Sequence, residues 1–123
     1  MNKSPCIYLV DNDLSVRKGI TRLLTAAGYN VLAYPSVKLF LASLEPGIKA
    51  CLILDVRLSF LALEAFIKEL STYDIDLKII AISADDIIDI RKKGKMVYAK
   101  EFIKKPVDGN VLIYSIKKLI NLK

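Results

Sequence analysis

The sequence predicts an α/β fold, a doubly wound parallel sheet of five strands with five helices. Three observations carry this. Strand-like and helix-like segments alternate five times along the 123 residues, the order that gives parallel strands joined by covering helices. The strand-like segments are short apolar runs rather than alternating ones, as suits strands buried on both faces. No repeat, low-complexity stretch or Pro-, Gly- or Ser-rich linker divides the chain, so residues 1–123 read as one domain.

In order, CIYLV at 6–10 is the first strand. Asn12 or Asp13 can cap a helix whose Val16, Ile20, Leu23 and Leu24 recur at helical spacing up to Ala27. Gly28 then suits a left-handed C-cap. A second strand covers 29–34, and Pro35-Ser36 opens a helix with Val37, Phe40, Leu41 and Leu44 on one face, ended by Pro46-Gly47. The third strand is 50–54, with Asp55 at its carboxyl end, and a third helix covers 62–71. A fourth strand at 77–82 is closed by Ser83, a short helix follows at 86–93, and a fifth strand at 97–103 ends in Lys105-Pro106. The last helix, 109–122, buries Val111, Leu112, Ser115, Ile116, Leu119 and Ile120.

Composition bounds the function. With 54% hydrophobic and 26% charged residues the chain is globular. Its apolar runs, such as IIAI, are too short to cross a bilayer. The opening MNKSPCIYLVDND reaches a charge before a secretory core could form, so a cytoplasmic protein is expected. There is no His, which excludes Ser-His and Cys-His catalysis and His-ligated metals. A metal would then take oxygen ligands, as magnesium does. Cys6 and Cys51 lie in strand runs and read as buried, reduced thiols; on neighbouring strands their sulfurs could approach each other. Net charge is +6, but residues 91–123 hold ten Lys/Arg against two Asp/Glu, whereas 1–90 hold nine against eleven. That basic quarter reads as a solvated face or a partner surface. Arg91, Lys92, Lys93, Lys95, Lys100 and Lys104 lack the interleaved aromatics of a nucleic-acid module.

Open doubly wound sheets bind ligands beyond the carboxyl ends of their strands. The residues there are Asp11-Asn12-Asp13, Asp55, Ser83 and Lys105, while the second strand ends in Tyr34-Pro35. A carboxylate cluster, a hydroxyl and an ammonium on one rim suit phosphoryl transfer: one carboxylate attacks phosphorus, and the lysine and hydroxyl take its oxygens. A magnesium ion offsets the repulsion between anionic nucleophile and anionic donor. Each residue alone is more often a cap or turn former, but four at four strand ends exceed what capping explains.

The segments IYLVDND, CLILDVR, AIS and FIKKP resemble the sequence blocks of two-component response-regulator receivers over nearly the whole chain. The stretch DNDLSVRKGITRLLTAAGYNV with CLILDVRL is similar to receivers that precede a helix-turn-helix output domain. The resemblance implies a flavodoxin-like (βα)5 fold with strand order 2-1-3-4-5. It makes Asp55 the phosphoacceptor, and Asp11, Asn12, Asp55 and the Arg57 backbone carbonyl the magnesium ligands. Ser83 becomes the switch hydroxyl with Ala84 beside it, Lys105 the phosphoryl-binding lysine, Pro106 a cis-peptide candidate and Phe102 the rotating aromatic. The implied partners are a histidine kinase or phosphotransfer protein, with homodimer or output-domain contact through residues 86–121. Nucleic acid would be reached only through an output domain outside this chain, and no membrane partner is implied.

Three departures stand out. Asn12 replaces an acidic metal ligand, so magnesium affinity should fall, with Asp13 a conceivable substitute. Leu58-Ser59-Phe60-Leu61-Ala62-Leu63 replaces a glycine-containing loop. Asp85-Asp86 follow Ala84, and Tyr98 stands where a glycine is common. They leave an alternative, a pseudo-receiver that keeps the fold as an interaction module without phosphorylation. A further alternative is a haloacid-dehalogenase-type phosphatase using Asp11 and Asp13. Against it, the order of the later motifs is reversed, the chain is short and Asp55 has no role.

Overall fold

A computed structural model of the chain describes residues 6–44, 49–56, 65–66, 68–70, 72, 76–84 and 99–120. Its strands are β1 (Cys6–Val10), β2 (Asn30–Tyr34), β3 (Lys49–Asp55), β4 (Asp76–Ser83) and β5 (Glu101–Lys104). They form one sheet in the order β2-β1-β3-β4-β5 with every pairing parallel. The helices are α1 (Leu14–Ala26), α2 (Val37–Ser43) and a C-terminal helix (Gly109–Ile120). Residues 65–66 and 68–70 are also helical, within the predicted third helix; the predicted helix at 86–93 lies outside the described residues.

Successive strand residues point to opposite faces, and both faces are buried. Ile7, Leu9, Ile53, Ile80 and Ile82 pack under Ile20 and Leu24 of α1 and Leu112, Ile116 and Leu119 of the C-terminal helix. Tyr8, Val10, Leu52, Leu54 and Ala81 pack under Phe40 of α2 and Phe66. This two-sided burial is why the strands read as unbroken apolar runs.

Side chains and backbone at the helix ends explain the element boundaries. Asp13 caps α1, its Oδ1 accepting from the N–H groups of Ser15 at 2.8 Å and Val16 at 3.3 Å. At the other end Gly28 takes φ 95°, its N–H bonds the Thr25 carbonyl and the Tyr29 N–H the Leu24 carbonyl, a Schellman motif. The Tyr29 N–H is thereby spent on the helix, and β2 begins at Asn30 rather than 29. Ser36 caps α2 through Leu39 N–H. Asp108 caps the C-terminal helix, accepting from the Asn110 and Val111 N–H groups. A Cβ on Gly109 would stand 3.0 Å from Leu23 Cδ1, so glycine permits the close approach of α1.

Three further sequence expectations are corrected. Strands β3 and β4 run to their polar ends, because Lys49 registers with Asp76 and Asp55 with Ile82. Strand β5 begins only at Glu101; Ala99 and Lys100 precede it, joined to β4 by one bond from Lys100 N–H to the Ile79 carbonyl, while 97–98 lie outside the described residues. Val111 is 48% exposed, since the buried stripe of the last helix runs through Leu112, Ser115, Ile116 and Leu119.

Cys6 and Cys51 do lie on neighbouring strands, but Ile7 is the register partner of Cys51. Cys6 therefore faces the opposite side of the sheet, and the two thiols are free. Burial pushes the Cys51 thiol up from 9.0 to about 12. The unfolded chain releases this proton first, so stability contributed by the neutral buried thiol falls as pH rises from 9.0 toward 12, at about 1.4 kcal/mol per pH unit. The difference between wild-type and Cys51→Ala denaturation midpoints across that range checks the slope. In the folded protein at pH 8, iodoacetamide should label half-buried Cys6 and spare Cys51; equal labelling would contradict the assignment.

Candidate functional site

Because all five strands are parallel, their carboxyl ends share one edge. Strands β1 and β3 are neighbours whose onward connections leave in opposite directions, so a crevice opens between them. Asp11 follows β1, Asp55 and Ser83 are the last residues of β3 and β4, and Lys105 follows β5. Backbone bonds tie these ends together: Asp11 N–H to the Tyr34 carbonyl, Val56 N–H to that of Ile82 and Lys105 N–H to that of Ser83 at 2.7 Å. The Lys105–Pro106 peptide is cis.

Asp11, Asp55 and Ser83 are buried, 1%, 5% and 4% exposed. Lys105 Nζ lies 2.9 Å from Asp11 Oδ2 and 3.4 Å from Asp55 Oδ2. Buried carboxylates are costly unless paired, and one ammonium here serves two of them. Asp11 is fixed further: its Oδ1 accepts from Asp13 N–H at 2.9 Å and its carbonyl from Arg17 Nη1 at 2.7 Å. Ser83 follows Ala81 by two residues on β4, and Ala81 registers with half-buried Phe102. Ser83 and Phe102 thus stand on the same face of the sheet.

Asp11, Asp55 and Lys105 are therefore brought into contact, with Ser83 on the adjoining strand end. Asn12, Asp13 and Ala84 are exposed beside them, and the Asp13 carboxylate is occupied as the α1 cap. Arg57, the 58–63 loop, Asp85-Asp86 and Tyr98 lie outside the described residues. Arg17 and Asp108 were not among the candidate residues. Asp108 carried a readable signal, an Asp one residue before a helix, whereas Arg17 carried none.

The donors fit a hard cation in kind, two carboxylates and an amide oxygen, though with one carboxylate fewer than an acidic pair would supply. Among the described residues no group of three or more Asp, Glu, Cys or His side chains is placed to hold a metal. Among them, too, no helix is long and apolar enough to cross a membrane.

A doubly wound parallel sheet with a buried Asp–Lys–Asp cluster at the carboxyl ends of its strands defines an α/β module with its candidate site on that rim. The sequence matches the response regulator receiver domain over residues 7–117, and the chain belongs to that family of phosphorelay signal-transduction domains. It is 30% identical to nodulation protein W of Bradyrhizobium diazoefficiens over 89% of this chain and 48% of that protein. Identity to the transcriptional regulatory protein FixJ of Azorhizobium caulinodans is 24%, over 95% of this chain and 56% of that one. The chain thus spans about half the length of these curated relatives. Among solved structures, a receiver protein from Burkholderia phymatum superposes with TM-score 0.75 at 25% identity, covering 98% of both chains. One from Pseudoalteromonas atlantica gives 0.76 at 23%, covering 95% and 98%, and shares the fold.

Proposed function

We propose that residues 1–123 act as one receiver domain that accepts a phosphoryl group on Asp55 and is not itself a turnover enzyme. The observation that carries this is the Lys105 ammonium seated between the Asp11 and Asp55 carboxylates at the sheet rim. In the step, an Asp55 carboxylate oxygen forms a bond to phosphorus as the donor's P–N bond breaks. The nitrogen of the donor histidine, on a kinase or phosphotransfer protein, keeps the electron pair and is then protonated. Lys105 turns from the carboxylates to the new phosphoryl oxygens, and the Ser83 hydroxyl donates to another. Asp11, Asn12, Asp55 and the Arg57 carbonyl are the groups that would hold magnesium. When bound, it supplies charge compensation between anionic nucleophile and anionic donor.

The acyl phosphate adds about two negative charges. Drawing Ser83 toward it opens space on the face where Phe102 packs beside Ala81, which couples the site to the surface around β5 and the C-terminal helix. That surface, within residues 86–121, is the proposed contact for a second copy or an output domain. A nucleic-acid target would be reached through such an output domain, and the setting is cytoplasmic.

Labelling with radioactive acetyl phosphate, with and without magnesium, tests the reading. Wild type should label with magnesium, Asp55→Asn should not, and Asn12→Asp should label faster. Label retained by Asp55→Asn sinks the assignment, and label on Asn12→Asp alone marks the natural chain as a silent pseudo-receiver. A beryllofluoride complex with Ser83 and Phe102 unmoved would remove the switch from the proposal.

A further inference from the structure

The sequence places Asn12 where an acidic residue would add negative charge, and the structure places a cation nearby that the receiver reading does not use. Arg17 lies on the first turns of α1, and its Nη1 donates to the Asp11 carbonyl at 2.7 Å. With the Asp11 N–H bonded to Tyr34, Oδ1 to Asp13 N–H and Oδ2 to Lys105, that contact completes the fixing of Asp11 through both its backbone and its side chain. A carbonyl just past the end of β1 has left the strand ladder, so a side-chain donor satisfies it. The same bond pins the turn that carries Asn12.

Charge gives the contact a second consequence. Asp11, Asp13 and Asp55 against Lys105 leave two net negative charges, and the guanidinium on the Asp11 carbonyl reduces them to one. In a half-buried setting such charges act at several ångströms with little screening. We propose that Arg17 is a positioning residue that holds the Asp11 turn and biases this site toward the phosphoryl anion and against a divalent cation. Asn12 and Arg17 then act in one direction. One withholds a negative charge and the other adds a positive charge, so the site binds the anion with less reliance on metal. The inference rests on the reading of Asp55 as phosphoacceptor.

The sign of the effect provides the test. In the intact chain, Arg17→Met removes charge and donor while keeping length, and Arg17→Lys keeps the charge. Two affinities are measured by amide NMR titration: magnesium alone, and beryllofluoride at fixed saturating magnesium. Arg17→Met should weaken beryllofluoride roughly tenfold, the scale of one unit charge acting across a half-buried turn, while tightening magnesium severalfold. Arg17→Lys should recover most of both. A general loosening of the turn would weaken both ligands together, and that outcome overturns the proposal, as does wild-type behaviour of Arg17→Met. If Arg17→Met fails to fold, Arg17→Gln, which keeps a donor without the charge, must show the same opposed shifts or the proposal falls. Absence of beryllofluoride binding by wild type, or equal binding by Asp55→Asn, would instead defeat the phosphoacceptor reading, and the role of Arg17 with it.

Discussion

Replacing Lys105 with methionine should cost the fold about 3 kcal/mol, near the lower end for breaking a buried ion pair. The Lys105 side chain is 15% exposed, while those of Asp11 and Asp55 are 0% and 6% exposed. Methionine keeps the apolar stem and leaves two buried carboxylates facing each other without the cation between them. Their solvation cannot be restored without opening the ends of β1 and β3. The loss should therefore be coupled: adding Asp11→Asn to Lys105→Met removes one of the two buried negative charges and should return part of the stability. Urea denaturation of the two single variants and the double variant measures this. Lys118→Met is the comparison, because Lys118 pairs with Glu101 on the surface and is 48% exposed, where ion pairs contribute little. A Lys105→Met midpoint no lower than that of Lys118→Met would refute the central role given to the Asp11–Lys105–Asp55 cluster.

The rim cluster was legible in the sequence because a polar residue ending an unbroken apolar strand stands out, and parallel strands bring such residues to one edge. Its pairing was less legible: Lys105 reaches Asp11 across 94 positions, and only the β1-β3-β4-β5 order sets that distance. Parity decided the cysteines, since a one-residue offset between Cys6 and the partner of Cys51 puts them on opposite faces. The start of β2 turned on the Tyr29 N–H entering the α1 cap. Val111 misled because an apolar residue beside a helical stripe satisfies a 3.6-residue period loosely. Arg17 left no trace, because its partner is a backbone carbonyl in a turn whose path no side-chain pattern encodes. Asn12 is legible as a change of charge, yet its effect depends on the cations around it, and one of those is Arg17.

The second large effect is expected at Phe40, in the core under the α2 face of the sheet. Phe40 is fully buried, with its ring 5.3 Å from that of Tyr8, 5.8 Å from Tyr34 and 6.0 Å from Phe66. It joins α2 to β1, to the edge strand β2 and to Phe66 in the helical residues 65–66. Phe40→Ala removes the ring shared by three aromatic neighbours and leaves a cavity that these rigid side chains cannot collapse to fill. The cost should be about 3–5 kcal/mol, a large part of the roughly 5–15 kcal/mol that stabilises a domain. The adjacent Leu39, on the same helix and 51% exposed, should lose no more than about 0.5 kcal/mol as alanine. Because β2 is an edge strand paired, among the described residues, with β1, its amides should lose exchange protection in Phe40→Ala before those of β3 and β4 do. Protection lost uniformly across the sheet would show that α2 stabilises the domain as a whole rather than anchoring its edge. A Phe40→Ala midpoint equal to that of Leu39→Ala would mean the aromatic cluster is not the attachment of α2 at all.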